Sequence, residues 1–435
     1  MSNANLVNPF TWACIRAART IIPEPKDRIP LTISTAIYPL LAFVPFTFMA
    51  YLVRRPDTYL ARLLLLPLVI TTALRGAFAY FWTDPRLNVY NWGGALASFV
   101  MIAKAIDWAL VPEGRFKLGE RQPGAMEEPA VAAKEAVPDA PGDASARRRP
   151  LGDWLPRGLE DALEVIFSLR GLGWDYGKDV YVPKQTRPIE RSAYLRATLT
   201  SFLCNFLALD LIEATLKLVP GVGDVHGGTI FLPNLPPPQR YAVSTLIHFS
   251  TGCALLAGFG MVYDLCTLLA VGLLHHLPTS WPPVLDNPWV AQSLHEFWSR
   301  RWHQLLRQTF LVFGGWPGAA IAGDVGLVIG TFFASGMFHE CTMYAMGREW
   351  DWRVPLFFVL QGFSVIGERV WRIVTGRRVD GWLGTLWVYI DIVVFGQPLV
   401  DSWHRRGLAG GMVIPPPISP ARQLLFPTIR RLLHI

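Results

Sequence analysis

The chain has 435 residues, of which 51% are hydrophobic and 12% aromatic, and its formal net charge is +7 at pH 7. This composition is too apolar for an ordinary water-soluble protein of that length, and it predicts a polytopic membrane protein. Lys and Arg lie mostly in connecting segments and beside apolar runs, where they orient spans and contact lipid headgroups, so a nucleic-acid partner is not expected.

The N-terminal residues 1–30 precede the first apolar run and are predicted to be an interfacial segment, with residues 31–435 forming a single membrane domain. Basic residues stand on both sides of the first span and therefore give conflicting orientations. Arg54, Arg55 and Arg62 favour a cytosolic loop after that span, whereas Arg16 and Arg19 favour a cytosolic N-terminus. We favour the first orientation.

Eight segments approach the roughly 20 apolar residues that a membrane-spanning helix requires. They predict an all-α, polytopic fold with about eight transmembrane helices, plus interfacial helices. The segments are Leu31–Val53, Tyr59–Phe81, Val89–Val111, Ala193–Leu218, Tyr241–Ala270, Ile321–Met346, Val354–Val374 and Trp382–Val400.

Between Pro112 and Pro150 the composition changes to Ala, Pro, Gly, Glu and Arg, with almost no aromatic residues. Such a segment buries too little apolar area to offset its chain entropy, so a disordered, charged insert is predicted at about 112–150. After it, Leu159, Leu163 and Ile166 recur at helical spacing opposite charged residues. This helix lies either in the membrane interface or as a core helix on the aqueous side.

The five cysteines show no spacing typical of a disulfide framework or a zinc site, and four of them fall inside apolar runs. The pair His339–Glu340 begins a zinc-protease pattern that fails at Met343, where a second histidine would be required. The other histidines do not form the clusters that a di-iron site needs. We therefore expect no bound metal.

The segment from Pro288 to Phe310 has a helical pattern, which predicts one continuous amphipathic helix. His295, Ser299 and His303 recur every four residues and form its polar stripe. Beside the stripe lie two arginines and two tryptophans, which fit either phosphate binding or an ordinary membrane boundary. These four residues are Trp298, Arg300, Arg301 and Trp302.

His339 lies in the apolar run Val325–Gly347, at a depth where ionisable side chains are costly and usually line a cavity or pathway. A histidine there is suited to take a proton from a hydroxyl that attacks an activated carbonyl. Glu340 is about 100° around the helix from His339, so we expect it to pair elsewhere than on that proton. A structural histidine and a proton relay in a transporter are the alternatives; no internal repeat supports the transporter.

Around these histidines, the sequence resembles the wax synthase-like branch of the membrane-bound O-acyltransferase (MBOAT) superfamily, particularly its fungal members. The matching pieces keep their order and spacing over about residues 155–400. They are SLRGLGW at Ser168–Trp174, WPP at Trp281–Pro283, SLHEFWSRRWHQ at Ser293–Gln304 and SGMFHE at Ser335–Glu340.

The resemblance implies that His339 is the catalytic base in an intramembrane reaction chamber and that His303 is the second active-site polar residue. Ser299 departs from the family, which often has glycine there. The candidate residues for binding the substrate or CoA are His295, Trp298, Ser299, Arg300, Arg301, Trp302 and Glu340.

The resemblance also implies acyl-CoA as co-substrate, no bound cofactor, and a hydrophobic alcohol as acceptor. The amino-acid sequences of the motifs resemble those of the fungal members more closely, so we expect acetyl transfer from acetyl-CoA to a terpenoid or other secondary-metabolite alcohol. Long-chain wax ester synthesis is the alternative. Placement in the endoplasmic reticulum is expected from the same resemblance.

Overall fold

The apolar segments form long helices in a computed structural model that describes residues 9–123, 125–126 and 155–433. Seven helices within these ranges are long and apolar enough to cross a membrane. The chain is thus an all-α, integral, multi-pass membrane protein, as its composition predicts. The strands in the described ranges form two short pairs, namely β1 (Ile29–Pro30) parallel to β2 (Tyr80–Phe81) and β3 (Glu120–Gln122) antiparallel to β4 (Ala125–Met126).

The described helices follow one another along the chain with four short π-helical turns among them. The α-helices are α1 (Pro9–Ile21), α2 (Ile37–Leu40), α3 (Phe43–Val53), α4 (Tyr59–Phe78), α5 (Asn88–Leu110), α6 (Arg157–Phe167), α7 (Arg191–Leu216), α8 (Pro237–Gly272), α9 (Leu294–Glu296), α10 (Arg307–Phe310), α11 (Trp316–Ala345), α12 (Arg353–Thr375), α13 (Gly381–Tyr389), α14 (Gln397–Arg405) and α15 (Phe426–Leu433). The π-helical turns are Phe297–Arg301, Leu311–Gly315, Ile390–Val394 and Ala421–Leu425.

The first predicted span, Leu31–Val53, is not one continuous helix. Its first residues form a turn in which the Thr35 hydroxyl donates to the Pro30 carbonyl at 2.7 Å, and only α2 and α3 are helical. At 1.5 Å per residue, the 11 residues of α3 are roughly 17 Å long, which is too short to cross the hydrocarbon core alone. Hydroxyl side chains that bond the local backbone compete with helix formation, which explains the late start.

The beginning of the predicted disordered insert is ordered, so that part of the prediction is wrong. Residues 113–123 pack under α3 and α5 through two buried ion pairs, Arg54 with Glu120 at 3.0 Å and Arg115 with Asp107 at 2.5 Å. The composition of the segment could not predict these pairs, because the partner residues Arg54 and Asp107 lie outside it, directly after α3 and in α5. The rest of the insert lies outside the described residues, apart from β4.

The predicted span Ile321–Met346 is one leg of a helical hairpin. The chain reverses at Gly323, whose φ of +57° is readily reached only by glycine, and the preceding residues 307–321 run back along the second leg. A Cβ atom on Gly330 or Gly326 would overlap the carbonyl oxygens of Gly314 and Gly318 on the other leg. The two backbones therefore touch, as small residues allow in membrane helices.

Buried cations hold the carbonyl ends of three helices. The last carbonyls of a helix have no partner within it and need an outside donor, above all in a membrane protein. The N-terminal segment supplies one such donor to the hairpin, and α4 and α5 supply the others. The bonds run from Arg28 to the carbonyls of Tyr344 and Ala345, from Arg62 to those of Trp108, Val111 and Pro112, and from Lys104 to those of Val165 and Ser168.

Glu340, on the hairpin's second leg, is fully buried and forms an ion pair with Arg406. The two guanidinium contacts measure 2.6 and 2.9 Å, and the backbone N–H of Asp351 donates to the same carboxylate at 2.7 Å. The carboxylate is thus held by Arg406, which directly follows α14, and by the loop before α12. These contacts connect the C-terminal end of the hairpin to the chain that follows α14 and to the chain that precedes α12.

We expect Gly330→Ala to destabilise the protein, because the added methyl group would push the legs of the hairpin apart. Overpacking of this kind costs about 1–3 kcal/mol. The thermal unfolding midpoint of the purified protein in detergent measures the effect. Gly367→Ala, on the outer face of α12 with open space around it, is the control and should not lower the midpoint. Equal midpoints for both variants would contradict the close contact.

We expect Glu340→Ala to be more damaging, because it leaves Arg406 buried without its carboxylate. Breaking one side of a buried ion pair costs about 3–5 kcal/mol. The matched control is Asp324→Ala, which removes an exposed partner of Arg369 and should change the unfolding midpoint little. If both variants unfold alike in the same detergent, the ion pair does not hold the hairpin.

Candidate active site

A cavity of about 290 Å³ lies between α8, the hairpin, α12, α13 and α14. Its walls are mainly aromatic and aliphatic, and the polar side chains are few. Both histidines singled out from the sequence, His303 and His339, line this one cavity. An apolar cavity with a few convergent polar groups is the usual form of a small-molecule site.

His339 enters the cavity from the second leg of the hairpin. Its ring stacks on Phe358 of α12 with centroids 5.0 Å apart and planes 12° apart, and Trp403 of α14 lies 5.9 Å away. Its Nδ1 atom is buried and has no hydrogen-bond partner among the described residues. The aromatic contacts therefore hold the ring in place and leave that nitrogen free to bind a ligand.

His303 reaches the cavity because the predicted continuous helix is broken, so that prediction is wrong. After the π-helical turn Phe297–Arg301, Trp302 adopts an extended conformation with φ −78° and ψ 154°. The side-chain amide of Gln304 donates to the carbonyls of Trp298 and Trp302, at 2.9 and 3.0 Å, and holds this break. The change of direction turns His303 inward, away from the polar stripe that the sequence predicted.

His303 shares the cavity with His339. His303 packs against Phe259 of α8 with ring centroids 4.4 Å apart. Its Nδ1 atom is also buried and lacks a partner within the described part of the chain. The cavity thus holds two imidazoles, each presenting a nitrogen that the protein leaves unbonded.

The predicted binding residues separate into two groups. Trp298 and Trp302 line the cavity, and the indole N–H of Trp298 donates to Gln361 at 3.0 Å. The cavity-lining residues that the structure describes do not include the other five, which are His295, Ser299, Arg300, Arg301 and Glu340.

The side chains outside the cavity have other contacts. His295 is exposed, and the Ser299 hydroxyl donates to its carbonyl at 2.6 Å. Arg300 lies over the ring of Tyr181 at 5.7 Å, and Arg301 forms an ion pair with Glu296 at 2.7 Å. These contacts make the arginine pair part of a surface network, and the structure does not bring it to the histidines.

The sequence analysis missed further polar residues of the cavity. His248 and Thr251 of α8, Ser335 of the hairpin and Trp403 of α14 line it together with the two predicted histidines. The signal for His248 was present, because it also lies in a long apolar run. Trp403 gave no such signal, since the last predicted span ended before it.

Two of the motif pieces meet through one buried side chain. Arg170, in the SLRGLGW piece, donates to the carbonyls of Pro282 and Pro283 in the WPP piece, at 2.9 and 2.8 Å, and to the hydroxyl of Tyr263 at 2.7 Å. This contact anchors the loop that precedes α9 and the His303 segment. Within the described residues, no group of three or more His, Cys, Asp or Glu side chains could hold a metal ion.

Residues 281–360 match the Membrane bound O-acyl transferase family. The matched segment contains the WPP, SLHEFWSRRWHQ and SGMFHE pieces, and with them both His303 and His339.

The chain is also similar to individual proteins of fungi and plants. It is 25% identical to an O-mevalon transferase of Aspergillus niger, over 57% of this chain and 60% of that protein. It is 26% identical to an acetyltransferase of Calcarisporium arbuscula, over 58% and 64% of the two chains. It is 37% identical to a probable long-chain-alcohol O-fatty-acyltransferase of Arabidopsis thaliana, over 30% and 43%.

The similarity thus spans less than two thirds of each of these relatives. It nevertheless includes fungal acetyltransferases and plant fatty-acyl transferases, the two groups that the motifs indicated. The chain is therefore similar to membrane-bound O-acyltransferases, among them fungal acetyltransferases and a plant long-chain-alcohol O-fatty-acyltransferase.

Proposed function

We propose that this protein is an acyl-CoA-dependent O-acyltransferase that esterifies a hydrophobic alcohol inside the membrane. The observation that carries the proposal is the pair His303 and His339 in one buried, aromatic-lined cavity, each with a free Nδ1 atom. The relation to membrane-bound O-acyltransferases supports it. Acyl-CoA is the co-substrate, and no bound cofactor takes part.

In this proposal His339 acts as the general base. The imidazole takes the proton of the acceptor hydroxyl while the alcohol oxygen attacks the thioester carbonyl carbon. A C–O bond forms, the C–S bond breaks, and the CoA thiolate leaves with the proton returned from His339. The products are the ester and free CoA, so no covalent acyl-enzyme is needed.

His303 has the second role, to orient the thioester or the acceptor by a hydrogen bond. The aromatic walls around the two histidines exclude water, which favours transfer to the alcohol over hydrolysis of the thioester. Trp298 and Trp302 belong to these walls.

For the donor and acceptor we propose acetyl-CoA and a terpenoid or other secondary-metabolite alcohol. The acetyltransferase of Calcarisporium arbuscula and a further one from Emericella nidulans, 27% identical over 48% of this chain, support the short donor. The plant relative supports the alternative, long-chain wax ester synthesis, with a higher identity over a shorter segment. We propose the endoplasmic reticulum as the location.

We expect His339→Ala to abolish ester formation while the protein remains folded and inserted in the membrane. Removing the base of a proton transfer typically costs 10²–10⁴-fold in rate. Microsomes that express the protein are supplied with acetyl-CoA and a mixed panel of terpenoid and long-chain alcohols, and esters are measured by mass spectrometry. His226→Ala, at an exposed loop position, is the matched control. Turnover retained in His339→Ala would exclude the assigned role.

The length of the acyl donor separates the two candidate reactions. With one alcohol at a fixed concentration, we expect acetyl-CoA to give a higher kcat/KM than palmitoyl-CoA, in line with the similarity to fungal acetyltransferases. A series of acyl-CoA donors from two to sixteen carbons measures this directly. A maximum at the long donors, with fatty alcohols as the best acceptors, would establish the wax ester alternative instead.

A further inference from the structure

His248 is a polar position of the cavity that the proposed mechanism does not use. It lies on α8, its side chain lines the cavity, and the residue is only 7% exposed. Its Nδ1 atom is buried and has no hydrogen-bond partner among the described residues. A buried polar atom of this kind is uncommon in a folded protein and calls for a ligand that bonds it.

Such atoms are concentrated at this cavity. Nine buried side-chain nitrogens in the described residues lack a partner, and five of them belong to arginines that bond through other nitrogens. The remaining four are His248 Nδ1, His303 Nδ1, His339 Nδ1 and Trp403 Nε1, and all four residues line the cavity. The free nitrogens therefore indicate one ligand-binding space with several polar contact points.

The surroundings of His248 determine what Nδ1 can bind. The backbone carbonyl of Ile392 lies beside the His248 ring, and because Nδ1 has no partner in the described chain, we assign this contact to Nε2. A carbonyl only accepts, so a neutral ring that donates Nε2–H leaves Nδ1 as an acceptor. Gly396 permits the approach, since a Cβ there would lie 2.9 Å from the ring of His248. The group that Nδ1 recognises must carry an O–H or N–H.

His248 is distant from His303 along α8. Phe259, the ring on which His303 packs, comes eleven residues after His248 on α8. At 1.5 Å per residue the two positions are roughly 16 Å apart along the helix. The walls near His248 are aromatic, with Phe249 and Trp289 in contact at 5.3 Å between ring centroids. A ligand that spans the cavity is therefore elongated and apolar, with a polar group at each end.

The charge of the lining separates the donor end of the cavity from the acceptor end. Among the described lining residues, Arg307 is the one with a permanent charge, and it follows His303 by four positions. The phosphates of CoA need a cationic partner, so the donor belongs at the Arg307 end. The neutral, aromatic region around His248 is left for the alcohol.

We propose that His248 binds a second hydroxyl group of the acceptor through Nδ1, so that the enzyme prefers elongated diols to alcohols with a single hydroxyl. This inference rests on the proposed acyltransferase function and names the acceptor class of that same site. His248 is a specificity residue in this proposal, and His339 and His303 alone act on the reacting hydroxyl.

The test compares matched acceptors in wild type, His248→Leu and His248→Gln. The acceptors are farnesol with 12-hydroxyfarnesol, and 1-alkanols of 8 to 16 carbons with the α,ω-diols of the same length. We expect the wild type to have a roughly tenfold lower KM for the matching diol than for its mono-alcohol, the value of one hydrogen bond. His248→Leu should lose this difference and leave the KM of acetyl-CoA unchanged, and His248→Gln should regain part of it.

The control variant is Leu246→Ala, at an exposed position of α8, which should keep the diol preference. A loss in His248→Leu that is equal for diols and mono-alcohols, or a changed KM for acetyl-CoA, would overturn the proposal. If no alcohol is esterified by the wild type, the acyltransferase function fails. The role of His248 is then tested by binding, which requires no turnover. The measurement compares how far diols and mono-alcohols each raise the thermal unfolding midpoint of the purified protein.

Discussion

The fold depends on satisfying backbone carbonyls where water is absent. Arg28, Arg62 and Lys104 each reach from one element to the carbonyl end of another helix, and Arg170 does the same for the WPP loop. A carbonyl left without a donor in this environment would cost several kcal/mol. Each cation therefore specifies which helix ends meet, and the N-terminal segment, through Arg28, is connected to the end of the helix that carries His339.

The same requirement makes the unsatisfied atoms of the cavity informative. The protein bonds its buried polar groups almost everywhere in the described residues, yet four ring nitrogens of residues that line one cavity are left free. Stacking on Phe358 and packing against Phe259 hold two of these rings without using their nitrogens. Aromatic contacts thus give rigidity while hydrogen-bonding capacity is kept for the ligand, which is the arrangement that a preorganised site needs.

Much of the architecture was predictable, and the exceptions have local physical causes. The spans Tyr59–Phe81 and Val354–Val374 appear as helices within a few residues of their predicted ends, because a run of about 20 apolar residues has few alternatives. Helical periodicity failed between Pro288 and Phe310, where Gln304 bonds two carbonyls and breaks the helix. Hydropathy also did not predict the first leg of the hairpin. The contact between the two legs depends on glycines, and a hydropathy profile does not show where two backbones can approach each other.

In the candidate site, too, some residues were predictable from the sequence and others were not. The depth of His339 in an apolar run was enough to single it out, since an ionisable group there is costly unless it has a purpose. Sequence spacing placed His303 on one stripe with His295 and Ser299, and the structure separates it from both. Glu340, next to His339 in the chain, is bonded to Arg406, which directly follows α14, and Arg406 gave no indication of this in the sequence.

The sequence by itself determined the class of protein, the approximate spans, the motifs and the choice of His339 as a candidate residue, because each follows from composition or from residues close together in the chain. Only the tertiary structure decided which polar groups meet. Whether a side chain faces the cavity, a lipid or an ion-pair partner depends on helices hundreds of residues apart, as the contact of His404 with Thr251 at 2.9 Å and that of Arg28 with Ala345 illustrate. Local periodicity carries no information about such contacts, since they arise when distant apolar faces pack and bring their few polar groups together.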